Sequence, residues 1–301
     1  MSLFSDYFRR IIRRPDVASS DAPELPAPAD AAVTAIRLES PTISRRMILA
    51  PSDQLCAVTD TGRVRSHNED QVRVSSSPHV LIVADGMGGH MSGDVASALA
   101  ATSVEEYLAS ASAALNGDDV QTVELTMLEA LESAQERVLA AGQDQERNRQ
   151  MGSTLILALI HANLLLTCHV GDVRCYVWDG TELKALTRDH SVVAELVASG
   201  QLAAEQAHLH AAKNQVLQAV GMHVGFDPDL NRQPLEQGNR VLLCSDGLWE
   251  MLSNQEIASI VGGAGTIQEL ATQLVDRAND AGGRDNISVI LYEHRSGAQP
   301  S

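Results

Sequence analysis

The chain has 301 residues, 44% of them hydrophobic, with 22 Lys and Arg against 39 Asp and Glu and a formal net charge of −17. That length and apolar content exclude wholesale disorder and allow a buried core, which must be aliphatic because aromatics are only 3%. Seven Arg oppose six acids in residues 1–50, leaving 15 basic against 33 acidic groups beyond, and a body that acidic repels phosphate backbones and excludes nucleic acid as a partner.

At the N-terminus, Leu3, Phe4, Tyr7, Phe8, Ile11 and Ile12 fall at helical spacing, with Arg9, Arg10, Arg13 and Arg14 on the other side. The pattern predicts a basic amphipathic helix that docks on a partner or an anionic membrane surface, or folds back on the main domain. Its arginines follow the apolar residues rather than precede them, which argues against a secretory leader. Pro15, Pro23, Pro26 and Pro28 mark an extended linker over residues 15–32. Residues 1–50 therefore read as an N-terminal segment, 51–295 as the main domain and 296–301 as a tail.

Gln54 to Asp60 and Val80 to Asp85 read as strands, the second running into a glycine-rich turn. Residues 94–114 and 120–141 read as long helices. Strands follow at Thr154 to Ile160, Leu164 to Val170 and 173–178, and later at 240–245 and 287–293. Helices are expected near 191–199, 203–208, 254–261 and 266–281. The three middle strands, joined by short turns, point to antiparallel pairing. Helices in separate blocks indicate a layered α+β fold rather than a doubly wound parallel sheet. No stretch reaches the roughly 18 to 20 apolar residues that span a bilayer. Cys56, Cys168, Cys175 and Cys244 lack C-x-x-C spacing, and three of them lie in apolar runs, so metal or redox roles are not expected of them.

Four places set an aspartate beside glycine or asparagine where a strand meets a turn: Asn68-Glu69-Asp70, Asp85-Gly86, Asp246-Gly247 and Asp285-Asn286; Gly171-Asp172 is similar. Asp-Gly alone is an ordinary turn signal. Five such sites beside strands point instead to carboxylates gathered around hard cations, which take oxygen ligands. Glycine after Asp85 is expected to permit a tight turn that offers its carbonyl as a further ligand.

These residues are part of seven ordered motifs: Thr59-Asp60-Thr61-Gly62-Arg63-Val64-Arg65-Ser66-His67-Asn68-Glu69-Asp70, Ala84-Asp85-Gly86-Met87-Gly88-Gly89-His90, Met151-Gly152-Ser153-Thr154, Gly171-Asp172-Val173-Arg174, Leu186-Thr187-Arg188-Asp189-His190-Ser191, Ser245-Asp246-Gly247-Leu248 and Asp285-Asn286-Ile287-Ser288. Over residues 52–293 the chain resembles the bacterial members of the protein phosphatase 2C family, metal-dependent Ser/Thr protein phosphatases. The resemblance implies a central antiparallel β-sandwich flanked on both sides by helices. It also implies two Mn²⁺ or Mg²⁺ ions and a weaker third. By that likeness Asp85 bridges the two ions, Asp246 and Asp285 complete the first site, and the Gly86 carbonyl and Asp70 serve the second. Glu69 and Asn286 support the ligands, Asp172 belongs to the third ion, and Arg65 grips the substrate phosphate with its planar fork. The implied reaction is attack of a metal-bridging hydroxide on phosphoserine or phosphothreonine in proteins, without a phosphoenzyme.

Some positions depart from the family pattern. Val173 replaces a serine, which weakens the expectation of a third ion. Met87 stands where some relatives have an acid histidine, leaving metal-bound water or His90 to protonate the leaving group. Gly200 and His210-Ala211-Ala212-Lys213-Asn214 resemble the family's mobile flap, with Ala211 and Lys213 in place of a proline and an arginine. His67, His79, His161 and His169 have no partner at ligand spacing, and Trp178 and Trp249 read as packing residues. The resemblance implies a cytoplasmic, monomeric signalling enzyme opposing a bacterial Ser/Thr kinase. The alternatives are a catalytically weak phosphoprotein-binding module of the same fold and, nearer, a small-molecule phosphomonoesterase.

Overall fold

The computed structural model describes residues 45–49, 53–76, 79–88, 92–117, 119–143, 151–223 and 225–295. Residues 1–44, which hold the expected amphipathic helix and the linker of residues 15–32, lie outside them, as do Gly89 and His90. All described residues fall within one unit, Glu39–Ser301.

Two antiparallel sheets face each other. One runs β1 (Arg45–Leu49), β2 (Leu55–Asp60), β11 (Ile287–Glu293), β10 (Arg240–Cys244), β7 (Arg174–Trp178), β8 (Leu183–Ala185). The other runs β3 (Asp70–Ser76), β4 (His79–Met87), β5 (Gly152–His161), β6 (Leu164–Val170), β9 (Asp229–Pro234). Helices α1 (Ser92–Ser110) and α3 (Val120–Gln143), with the short α2 (Ser112–Leu115) between them, cover the five-stranded sheet. After α4 (Val192–Ala198) and the one-turn α5 (Asp246–Trp249), helices α6 (Asn254–Val261) and α7 (Ile267–Asp280) cover the other.

Alternation along each central strand produces these layers. On β5, Leu155, Leu157 and Leu159 pack against the helices, while Ile156, Ala158 and Ile160 fill the space between the sheets. With both faces covered, an antiparallel strand reads as an unbroken apolar run, a pattern more familiar in parallel sheets. Helices α6 and α7 each begin in a capping box, Ser253 with Glu256 and Thr266 with Glu269, which satisfies the first amides and fixes where each helix starts. The architecture is the four-layer α+β sandwich expected.

The structure corrects two local expectations. The third middle strand, β7, does not pair with β6: residues Gly171 to Val173 carry the chain across to the other sheet, where β7 lies between β10 and β8. Gly171 makes the crossing at φ +103°, where a Cβ would lie 2.5 Å from the Thr154 side chain, and Val173 is fully buried between the sheets. The six-stranded sheet also starts before residue 51, because Arg45–Leu49 pairs antiparallel with β2, and Arg45 bonds both Asp60 at 2.9 Å and Asp276 at 2.7 Å. The helix expected near 203–208 is present as a 3₁₀ helix, Ala204–Leu209.

Candidate metal centre

Five strand ends and crossings deliver carboxylates to one end of the sandwich. Asp70 opens β3 and Asp85 lies near the end of β4, and the two are directly opposite in the antiparallel register. Like charges so placed repel each other. Asp246 follows β10, Asp285 precedes β11 and Asp172 sits in the crossing to β7. Asp70, Asp172, Asp246 and Asp285 all act on the charge of Asp85, and Asp172, Asp285 and Asp70 on that of Asp246.

Burial first, then these neighbours, pushes Asp85 and Asp246 well above the usual carboxylate range, although each keeps an accessible edge. Burial likewise raises Asp70 to about 6 and Asp172 to about 7. Two of the oxygens, Asp70 Oδ1 and Asp246 Oδ1, are buried without a hydrogen-bond partner. Unpaired anionic oxygens under protein are costly unless a cation completes them.

Glycines let the backbone around these carboxylates approach closely. A Cβ on Gly93, in the first turn of α1, would lie 2.8 Å from Glu69 Oε1 and 2.9 Å from the Gly86 carbonyl oxygen. A Cβ on Gly86 would lie 2.0 Å from the Gly93 carbonyl oxygen, and one on Gly247 2.0 Å from that of Asn286. Gly86 lies within β4 and has no positive φ, so close approach, rather than the tight turn expected, requires glycine there. The orphaned oxygens, the crowded carboxylates and this cradle fit divalent cations bound by oxygen. The structure brings Asp70, Asp85, Asp172, Asp246 and Asp285 together as carboxylates that could hold them, with the Gly86 carbonyl packed beside Gly93.

A hydrogen-bonded frame fixes the floor. Ser245 Oγ donates to Asp70 Oδ2 at 2.7 Å and accepts from the Ser288 amide at 3.0 Å. Ser288 Oγ and Thr59 Oγ1 share a bond of 2.8 Å, and Asn68 donates to Thr59 at 2.8 Å. Asn286 is the keystone of the opposite loop: its Oδ1 accepts from the Glu69 amide at 2.8 Å, and its Nδ2 donates to the carbonyls of Thr61 and His67 at 2.9 and 2.8 Å. Arg65 Nη2 donates to Asp285 Oδ2 at 2.7 Å, with half of the arginine side chain still exposed.

Ser245 and Ser288 lie in the motifs named above, but nothing in those motifs announces the bonds they make. Trp249 does more than pack: its Nε1 donates to the Asp172 carbonyl at 3.1 Å, and the Arg174 guanidinium lies 3.7 Å from its ring centroid. Arg174 also grips both oxygens of Asp189, at 2.9 and 2.7 Å. Val173 points between the sheets, so its side chain is not part of the carboxylate cluster. His169, which shows no partner in sequence, meets Asp229 across β6 and β9 and stacks on His190. His190 Nδ1 accepts from the Gly171 amide at 3.3 Å, leaving Nε2 to face Asp229 at 3.3 Å. This cluster clasps the root of the flap, where Leu217 donates to the His190 carbonyl and Ser191 bridges Val216. All four cysteines are buried and free, and burial raises each thiol pKa, so none is a nucleophile.

An α+β sandwich with a carboxylate floor and an arginine beside it defines a metal-dependent phosphoryl-transfer site. The family described as Protein phosphatase 2C matches residues 61–291, and the chain belongs to it. It is 38% identical over 241 residues to Protein phosphatase PhpP of Streptococcus pneumoniae, covering 79% of this chain and 96% of that one. A serine/threonine phosphatase structure from S. agalactiae superposes with a TM-score of 0.72 at 33% identity, covering 83% of this chain and all of that one. The catalytic domain of the phosphatase PstP, solved with two manganese ions, gives a TM-score of 0.70 at 30% identity, over 83% of this chain and 97% of that one. The chain is a metal-dependent protein phosphatase.

Proposed function

We propose that this enzyme releases phosphate from phosphoserine and phosphothreonine in proteins at a two-cation centre held by Asp70, Asp85, Asp246, Asp285 and the Gly86 carbonyl, with Asp172 serving a weaker third ion. The observation that carries this reading is the pair of buried, unpartnered oxygens on Asp70 and Asp246 within one carboxylate cluster. The manganese pair of the PstP domain supports Mn²⁺ or Mg²⁺ as the ions. Bound there, they would supply an acidified water and positive charge for the phosphoryl oxygens.

The chain's own residues supply the rest. Arg65 orients the phosphate through guanidinium nitrogens that Asp285 leaves free. Glu69 and Asn286 hold the loop that carries Arg65. Ser245 fixes the rotamer of Asp70, and the Met87 thioether cannot donate a proton. The phosphoesters removed are products of protein kinases, which makes a bacterial Ser/Thr kinase the opposing activity and cytoplasmic signalling its setting. We read the enzyme as a monomer. Residues 1–44 act as a docking segment for a partner or membrane surface, so their removal is expected to leave turnover of a small phosphate ester unchanged.

Phosphate release from a phosphothreonine peptide tests this reading, measured with Mn²⁺ or Mg²⁺, with chelator, and in Asp246→Asn. Release that metal supports and both controls abolish is the expected result. Less than tenfold loss in Asp246→Asn would overturn the assignment of the centre. The weak binding module is not favoured, since all four aspartates are present and converge.

A further inference from the structure

In a chain of net charge −17, a cation without a carboxylate is unusual, and the described residues place such cations in one locality. Twelve of the fourteen described Lys and Arg side chains lie within 4 Å of an Asp or Glu oxygen. The two that do not are Arg63 and Arg284, both exposed.

They rise from two loops in contact at the edge of the metal centre. The Arg63 amide donates to the Gly283 carbonyl at 2.7 Å. A Cβ on Gly283 would lie 2.8 Å from Arg63 Cγ, so glycine there is what lets the Arg63 stem lie across the neighbouring loop. Arg284 directly precedes Asp285, the carboxylate that Arg65 engages. Two guanidiniums without an acidic partner among the described residues thus stand on the two loops that bring Arg65 and Asp285 together.

Long-range repulsion from an acidic body is screened beyond about 8 Å at physiological ionic strength, and inside that distance the nearest charges set the sign. An extended peptide advances about 3.3 Å per residue, so side chains within a few positions of the phosphorylated residue pass over this rim. Had the two arginines served only solubility, acidic partners would be expected for them, as for the other twelve.

Resting on the phosphatase reading above, we propose that Arg63 and Arg284 form a second anion-recognising pair. It selects phosphosites flanked by another anionic group, either a carboxylate or a second phosphate.

The test compares kcat/KM for four substrates: para-nitrophenyl phosphate, a phosphothreonine peptide with neutral flanks, the same peptide with Asp and Glu flanks, and one with a second phosphothreonine. The wild-type enzyme is expected to favour the anionic peptides about tenfold, the scale of two exposed charge contacts. Arg63→Ala/Arg284→Ala should bring all peptides to parity while para-nitrophenyl phosphate stays within twofold. Arg63→Lys/Arg284→Lys should retain much of the preference. A preference for only the acidic or only the doubly phosphorylated peptide supports the pair and identifies the anion. Equal kcat/KM for neutral and anionic peptides in wild type overturns the proposal, as does an equal fall on every substrate in the alanine variant. Fluorescence anisotropy of the same peptides reads the charge preference without turnover. Absence of phosphate release would therefore defeat the phosphatase reading, while equal affinities would defeat the arginine pair.

Discussion

The carboxylate floor and the arginine rim share loops yet are built in opposite ways. Asp70, Asp85 and Asp246 stand at or beside strand ends, enclosed by protein and braced by Ser245, Ser288 and Asn286. Arg63, Arg65 and Arg284 are exposed and make at most one side-chain bond among them, that of Arg65 to Asp285. The floor buys fixed geometry by crowding like charges, a folding liability that a bound cation or a proton relieves. The rim carries no such liability, so its side chains are free to follow a substrate. Chemistry is thus placed by backbone and buried hydrogen bonds, and selection is left to side chains that can be exchanged without disturbing it.

If that division holds, the largest effect follows from breaking the floor. Asp85→Asn should lower phosphate release roughly a thousandfold, as loss of a principal charge-stabilising group does. The same variant should raise the melting temperature of the chelated protein at pH 7, because it removes a repelled charge. A lower Tm in chelator would show that the carboxylate is held by bonds rather than frustrated.

A pH series sharpens the point. With Asp70 at about 6, Asp172 at about 7, and Asp85 and Asp246 also raised, these four carboxylates hold more protons folded than unfolded between pH 4 and 7, a larger effect than the opposite one of His79, His169 and His294, which desolvation lowers. Stability of the chelated protein should therefore fall across that window, by a few kcal/mol in all. Added Mn²⁺ should reverse the fall, most strongly at the upper end, and differential scanning fluorimetry reads both arms. A chelated protein that grows more stable from pH 4 to 7 would contradict the crowding.

The division also explains what the sequence made legible. Strands buried on both faces, such as β6 and β11, stand out as apolar runs, and their limits are read to the residue. β9, Asp229–Pro234, is an edge strand with no fully buried position, and β3 alternates only weakly, so neither carries a hydrophobic signal. β7 was assigned to the wrong neighbour because a short connection reads as a hairpin, and only packing shows that it crosses between sheets. The aspartates were legible because their chemistry demands one residue type beside glycine. The bonds of Ser245 and Trp249 were not, since a serine or tryptophan bonding a remote group leaves no periodic trace.

Between floor and rim stands Asn286, 3% exposed, whose three bonds tie the Arg65 loop to β11. Asn286→Ala should leave the Glu69 amide and two carbonyls without their partner. The expected cost is about 2–3 kcal/mol, a fall in Tm of roughly 5–10 °C at this chain length. Turnover should fall about tenfold as Arg65 loses its bearing. An unchanged Tm would mean that water replaces the amide and that the loop does not depend on it.

The smallest effect is expected in the flap, where Lys213 Nζ bonds Glu250 Oε1 at 2.7 Å just beyond α5. The flap root does not need this contact, because Val192 donates to Gln215 at 2.9 Å and Leu217 to His190 at 2.7 Å. Lys213→Met should therefore free the outer flap while leaving its root and the carboxylate floor in place. The KM for a phosphopeptide should move two- to threefold, and para-nitrophenyl phosphate turnover should stay within twofold, since a small ester reaches the floor without crossing the flap. Glu250, left unpaired, also adds its charge to those acting on Asp172 and Asp246, which should tighten rather than weaken cation binding. A tenfold loss on the small ester would place the flap with the floor, and a division between fixed chemistry and adjustable selection would then have to be drawn elsewhere in the molecule.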